Sequence, residues 1–150
     1  MEPFRYHVFV CDQQKPEGAP SCAACGSGKV IDALAREVAA QRLMDTVQIT
    51  TCGSLDLCES GPNIVVYPEG VWYCGVRPED AWEIVRSHFI EGTIVERLAR
   101  IDTSELRAEI LANRRRRQAA LQAKDAAGAL PDALLQTTRA FQESRVILSA

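Results

Sequence analysis

The sequence predicts an α/β domain, a β-α-β-β-β-α mixed sheet, followed by a helical C-terminal extension. Three observations carry this. Short β-branched and aromatic runs alternate with amphipathic stretches, two cysteine-bearing loops follow the first two runs, and the composition changes after residue 100. Strand–helix–strand order implies parallel strands joined by a right-handed crossover. A chain of 150 residues with 47% apolar content and a mean hydropathy of −0.10 suits one domain of roughly 100 residues plus an appendage. The expected division is therefore 1–100 and 101–150.

Tyr6 to Val10 is the first strand, dense in β-branched and aromatic residues. A Pro- and Gly-rich loop, 12–28, leads to a helix over Lys29 to Leu43, whose Val30, Leu34 and Val38 form one buried stripe. Thr46 to Thr50 alternates as a second strand. Ile64 to Tyr67 and Val71 to Tyr73 form a hairpin across Pro68-Glu69-Gly70. Pro78, Glu79 and Asp80 open a helix running to Phe89: proline suits its first position, and acids face its positive end. Ile94 to Ile101 reads as a further short helix. Beyond it, Ser104 to Lys124 and Asp132 to Leu148 read as helices separated by Gly128 and Pro131.

Five of the six cysteines, Cys11, Cys22, Cys25, Cys52 and Cys58, lie in or at the edge of two loops that follow parallel strands. Such loops meet at the carboxyl end of a sheet. Thiols gathered there bind a soft metal, ligate an iron–sulfur cluster, or cycle between thiol and disulfide. A [2Fe-2S] cluster takes four thiolates from loops, and Gly26, Gly53 and Gly61 are placed to let backbone N–H groups approach the sulfurs.

Several runs give the chain a resemblance. Tyr6-His7-Val8-Phe9-Val10-Cys11, Ser21-Cys22, Leu57-Cys58-Glu59-Ser60-Gly61-Pro62 and above all Val65-Val66-Tyr67-Pro68-Glu69-Gly70-Val71-Trp72-Tyr73 resemble the thioredoxin-like [2Fe-2S] ferredoxins over about residues 5–98. Val76-Arg77-Pro78-Glu79-Asp80 and Ile84-Val85 continue the pattern. The resemblance implies a thioredoxin-like fold, a one-electron carrier with a [2Fe-2S] cluster, redox-protein partners and a homodimer. Position by position it carries over Cys11, Cys22 and Cys58 as ligands. Relatives usually place the partner of Cys58 at position 54, where this chain has Ser54, with Cys52 two residues earlier. Cys52 is the expected fourth ligand, with Cys25 and Ser54 as alternatives. A serine hydroxyl is far harder to deprotonate than a thiol of pKa about 8.5.

Two other readings compete. Cys22-Ala23-Ala24-Cys25 before a helix is the Cys-x-x-Cys pattern of a thiol–disulfide oxidoreductase, and Pro62 stands where thioredoxins carry a cis-proline. That leaves Cys11, Cys52 and Cys58 without a role. A structural zinc site wants paired knuckles, and only one is present.

The remaining candidates have plainer expectations. Cys74 reads as a small hydrophobe, His7 as a packed histidine, His88 as a helix-end group carrying partial positive charge, and Trp72 and Trp82 as core residues. Arg114 to Arg117 point to all sides of a helix and so lie in solvent or against an acidic partner. Residues 1–100 hold nine basic and fourteen acidic side chains, and 101–150 eight and six. An acidic body argues against nucleic acid and favours docking on a basic protein surface. With no run of about 18 apolar residues and no secretory pattern at Met1 to Arg5, a cytoplasmic electron-transfer protein is expected, without membrane anchorage and not an enzyme.

Overall fold

The structure, a computed structural model, describes residues 1–128; the helix expected over 132–148 lies outside them. The chain falls into two compact units, Met1–Asn113 and Arg114–Ala150. The first contains β1 (Tyr6–Cys11), α1 (Ser27–Ala40), β2 (Val47–Cys52), β3 (Ile64–Tyr67) and β4 (Val71–Tyr73). The strands form one sheet in the order β2-β1-β3-β4. β1 and β2 are parallel, with Tyr6 opposite Val47 and Cys11 opposite Cys52; β3 runs antiparallel to β1 and to β4. The β-α-β-β-β-α order of the sequence is thus present, and both cysteine loops leave the same edge.

Alternation on β1 sends Tyr6, Val8 and Val10 into the core, where they meet Val30, Leu34 and Val38 of α1. Gly26, at φ 92°, supplies the left-handed backbone that turns the loop into α1. Arg42, at φ 56°, reverses the chain beyond its other end, with Leu43 N–H bonded to Val38 O at 2.9 Å and Arg42 N–H to Ala39 O at 3.0 Å. After β4 comes a composite helix: a 3₁₀ turn at Pro78–Asp80, a single α turn, α2, at Ala81–Glu83, and a π stretch over Ile84–Ile90. Ile84, Val85 and Phe89 seal the same core.

Three local expectations give way to tertiary packing. Residues 94–101 form turns instead of a helix: Arg100 N–H bonds Trp72 O at 2.8 Å, Cys74 N–H bonds Leu98 O at 3.0 Å, and Ala99 bridges to Tyr73. The segment covers the open edge of β4, whose backbone groups need partners. Trp82 is 53% exposed instead of buried, because Ala81, Ile84 and Val85 take the inner face; the Arg86 guanidinium lies 5.5 Å from its ring centroid. His88 is buried, not a charged helix end; its Nδ1 lies 2.9 Å from the Tyr73 hydroxyl, and burial pulls its pKa down against the nearby Glu69 carboxylate. His7 is a hydrogen-bonded histidine as expected, stacked on Phe9 with Nε2 2.7 Å from Thr50 Oγ1.

α3 spans Thr103–Gly128. The Asp102 carboxylate accepts N–H bonds from Ser104 and Glu105 at 3.0 and 2.9 Å, which caps its first turn. Leu106 is the buried residue of α3, and Arg100 pairs with Glu109 at 2.7 Å. Arg114 to Arg117, in the second unit, are exposed.

Candidate metal centre

The site grows from the carboxyl ends of β1 and β2. Cys11 ends β1 fully buried, and the sheet register sets Cys52 opposite it. The first loop folds back on itself: Ala23 N–H bonds Gln13 O at 3.2 Å, and the Ser27 hydroxyl donates to Asp12 Oδ1 at 2.7 Å. This returns Cys22, also fully buried, to Cys11. The second loop ends in a 3₁₀ turn, Cys58–Ser60, with Cys58 buried at its start.

The thiols act on one another. The neighbouring Cys22 thiol, then the backbone N–H groups of Gln13 and Leu55, lower the Cys11 pKa to about 6 despite burial. Cys22 is driven up, first by its pairing with Cys11; burial and the charges of Cys11 and Cys58 add to this, and the Asn63 N–H opposes it. Burial, then the charge of Cys11, raises the Cys52 thiol. Asn63, itself fully buried, donates its side-chain N–H to Leu57 O at 2.7 Å and reaches the Cys22 sulfur at 3.5 Å. Ser54 Oγ lies 3.4 Å from Cys58 Sγ and accepts the Asp56 N–H at 3.1 Å.

This surrounding fits an iron–sulfur group. Cys11, Cys22 and Cys58 are buried and Cys52 is half-buried at the ends of two strands and in the loops after them, and an amide N–H lies beside the Cys22 sulfur, of the kind that tunes such clusters. The backbone at Gly61 comes so close that a Cβ there would stand 2.8 Å from Cys22 Sγ and 3.4 Å from Cys22 Cα. Among the described residues no group of three Cys, His, Asp or Glu side chains is gathered closely enough to hold a metal ion.

Of the residues singled out in the sequence, Cys11 and Cys22 touch, Cys58 acts electrostatically on Cys22, and Cys52 is paired to Cys11 through the sheet. Cys25 is exposed. Cys74 is half-buried; burial raises its pKa, and Arg100, which bonds its thiol, opposes this. Sequence reasoning missed Asp56, Asn63 and Asn113, whose partners are distant in the chain or are backbone atoms. Asp56 sits at φ 62° in the second loop, and Asn113 of α3 donates to its carbonyl at 2.6 Å.

A βαβ-initiated sheet with buried, N–H-solvated thiols at its carboxyl edge defines a redox protein of the thioredoxin-like class. No protein-family model matches the chain. It is 47% identical over 95 residues to a 2Fe-2S ferredoxin of Aquifex aeolicus strain VF5, covering 61% of this chain and 86% of that one. It is 35% identical over 96 residues to a 2Fe-2S ferredoxin of Clostridium pasteurianum, covering 63% and 94%. The crystal structure of the thioredoxin-like [2Fe-2S] ferredoxin from Aquifex aeolicus superposes with a TM-score of 0.62 at 45% identity, over 65% of this chain and 97% of that one. A cysteine-to-serine variant of it gives 0.60 at 47%, over 63% and 97%. The chain belongs to the thioredoxin-like [2Fe-2S] ferredoxin family.

Proposed function

We propose that this chain is a one-electron carrier whose [2Fe-2S] cluster is held by Cys11, Cys22, Cys52 and Cys58. The observation that carries this is the burial of Cys11, Cys22 and Cys58 where the carboxyl ends of β1 and β2 meet, with Asn63 and the Gly61 backbone against the Cys22 sulfur, in a member of the ferredoxin family. The cluster supplies reversible one-electron chemistry. The protein's own part is electrostatic. The N–H groups of Gln13, Leu55 and Asn63 and the Ser54 hydroxyl stabilise negative charge on the ligand sulfurs, and the buried thiols keep water off them. Ser54 is assigned a hydrogen bond to Cys58 instead of ligation, since a serine hydroxyl is far harder to deprotonate than a thiol.

The oxidoreductase alternative needs an accessible, acidic Cys22. Here Cys22 is fully buried with a raised pKa, and Cys25 faces solvent. Residues 1–100 form the electron-transfer part and 101–150 an extension for oligomer or partner contacts. The protein works in the cytoplasm with a reductase or a terminal reductive enzyme and has no catalytic activity of its own. Among the described residues no helix is long and apolar enough to cross a membrane. A homodimer is supported by aromatic surface on the sheet face turned away from the helices: Phe9 and the 48% exposed Tyr67 meet edge to face.

Anaerobically purified protein should show visible charge-transfer absorption and two irons and two sulfides per chain. Cys52→Ala should lose the cluster while Ser54→Ala retains it with a shifted potential. Absence of labile sulfide in the wild type would sink the reading, and a normal cluster in Cys52→Ala would remove Cys52 from the ligand set.

A further inference from the structure

We infer that Asn113, on α3 and beyond residues 5–98 over which the family likeness runs, is a positioning residue for the cluster-bearing loop Ser54–Cys58. The inference rests on the ferredoxin reading for its redox consequence, and on geometry alone for the loop.

Asp56 adopts a left-handed backbone, φ 62°, that favours glycine, and it is buried. Such a conformation persists only where its surroundings hold it. Two side chains hold this one from opposite sides. Ser54 Oγ accepts the Asp56 N–H at 3.1 Å, and Asn113 Nδ2 donates to the Asp56 carbonyl at 2.6 Å. The residues just before the fixed Asp56 serve the sulfurs: Leu55 N–H acts on Cys11, and Ser54 Oγ faces Cys58. Asn113 is itself rigidly placed. The first turn of α3 is capped by Asp102, Leu106 is buried, and Glu109 pairs with Arg100 at 2.7 Å. A helix outside the shared ferredoxin core thus reaches back 57 residues in sequence to hold the loop whose Leu55 N–H and Ser54 Oγ face two proposed ligand sulfurs. Hydrogen bonds to cluster sulfurs help set the reduction potential, so α3 bears on the potential without touching a ligand.

The test compares full-length wild type with Asn113→Ala. Amide hydrogen exchange at residues 55–58 should quicken about fivefold, the Boltzmann equivalent of one hydrogen bond. The reduction potential and the reduced-state EPR spectrum should both move, with iron and sulfide content unchanged. Asn113→Asp, which turns an acceptor toward the Asp56 carbonyl, should exceed Asn113→Ala in every readout. In an Asp56→Gly background, where the left-handed backbone is no longer strained, the effect of Asn113→Ala should shrink. Unchanged exchange at 55–58 together with an unchanged potential in Asn113→Ala would overturn the proposal. So would an Asn113→Ala effect of full size in the Asp56→Gly background. If Asn113→Ala does not accumulate, the Asn113→Asp and Asp56→Gly/Asn113→Ala proteins carry the same comparison. Iron and sulfide assays on wild type judge the ferredoxin reading separately, and exchange reports the clamp whether or not a cluster is bound.

Discussion

Gly61→Ala isolates one contact of the proposed cluster site. Gly61 has φ −74° and ψ 168°, a conformation alanine adopts without strain, so any effect must come from the new methyl group. That methyl would stand 2.8 Å from Cys22 Sγ, about 0.6 Å inside the 3.4 Å at which ordinary contact begins. The sulfur cannot yield cheaply. Cys22 is fully buried, its thiol is bonded to Cys11, and Asn63 Nδ2 lies 3.5 Å away. The Cys22 Cα, at 3.4 Å, blocks retreat along the backbone. Overpacking of this kind costs about 1–3 kcal/mol. In a domain of this size it lowers the melting midpoint by about 4–8 °C per kcal/mol. Because the displaced atom is a proposed ligand, iron and sulfide should fall below two per chain, and a chelator should strip the cluster faster. Gly28→Ala is the matched control: Gly28 lies in α1 with open space around its Cα, so alanine should be neutral or should stabilise by up to about 1 kcal/mol. A Gly61→Ala protein with full iron content and an unchanged melting curve would refute the close-approach argument and the placement of Cys22.

The remaining predictions address other parts of the molecule. Cys25→Ser should leave cluster content and stability within about 0.5 kcal/mol of wild type, since the thiol is exposed; loss of iron would restore Cys25 as a ligand. Leu106→Ala should cost about 2–4 kcal/mol by chemical unfolding, and a change below 0.5 kcal/mol would show that α3 is not anchored there. Asp80→Ala should cost about 1–2 kcal/mol, because its carboxylate accepts the Arg77 N–H at 2.7 Å at the start of a helical segment and also pairs with Arg97; a denaturation midpoint equal to wild type would refute it. His88 has a pKa lowered by burial, so the unfolded chain binds its proton more readily. Stability from this group is therefore complete above pH about 6.5 and is lost as pH falls below that value. The loss between pH 7.5 and 5.5 should be smaller in His88→Gln than in wild type, and equal slopes would exclude His88 as its source.

Much of the molecule was legible in the sequence because it follows local rules. The apolar spacing of α1, the alternation of β1 and the turn at Pro68-Glu69-Gly70 each fix an element within a few residues of its observed bounds. The meeting of Cys11 with Cys52 was also legible, since parallel strands in a βαβ unit end on one edge. What escaped depends on partners far away in the chain. Residues 94–101 carry a helical apolar pattern, yet the vacant edge of β4 claims their backbone. His88 reads as a helix-end cation until Tyr6, Tyr73 and Phe89 close around its ring. Asn63 and Asn113 offer no local signal at all, because each acts through an amide on a carbonyl in another segment.

The departure at Ser54 has a structural logic on the proposed ligand set. A ligand at position 54 is aimed by a loop, whereas Cys52 is the last residue of β2 and is aimed by its register against Cys11. Strand positions hold functional groups more accurately than loop positions do. Moving a thiol from the loop to the strand end shifts that accuracy onto the sheet, and position 54 is left with a hydroxyl. This hydroxyl fits the space beside Cys58 and accepts the Asp56 N–H. The loop between Cys52 and Cys58 then no longer aims a ligand from its middle. Its task becomes presenting Leu55 N–H to Cys11 and Ser54 Oγ to Cys58, which requires a fixed backbone at Asp56. That backbone is what Asn113 grips. On the proposed ligand set the sheet register aims Cys52, and the Asn113 contact holds the loop that faces Cys11 and Cys58.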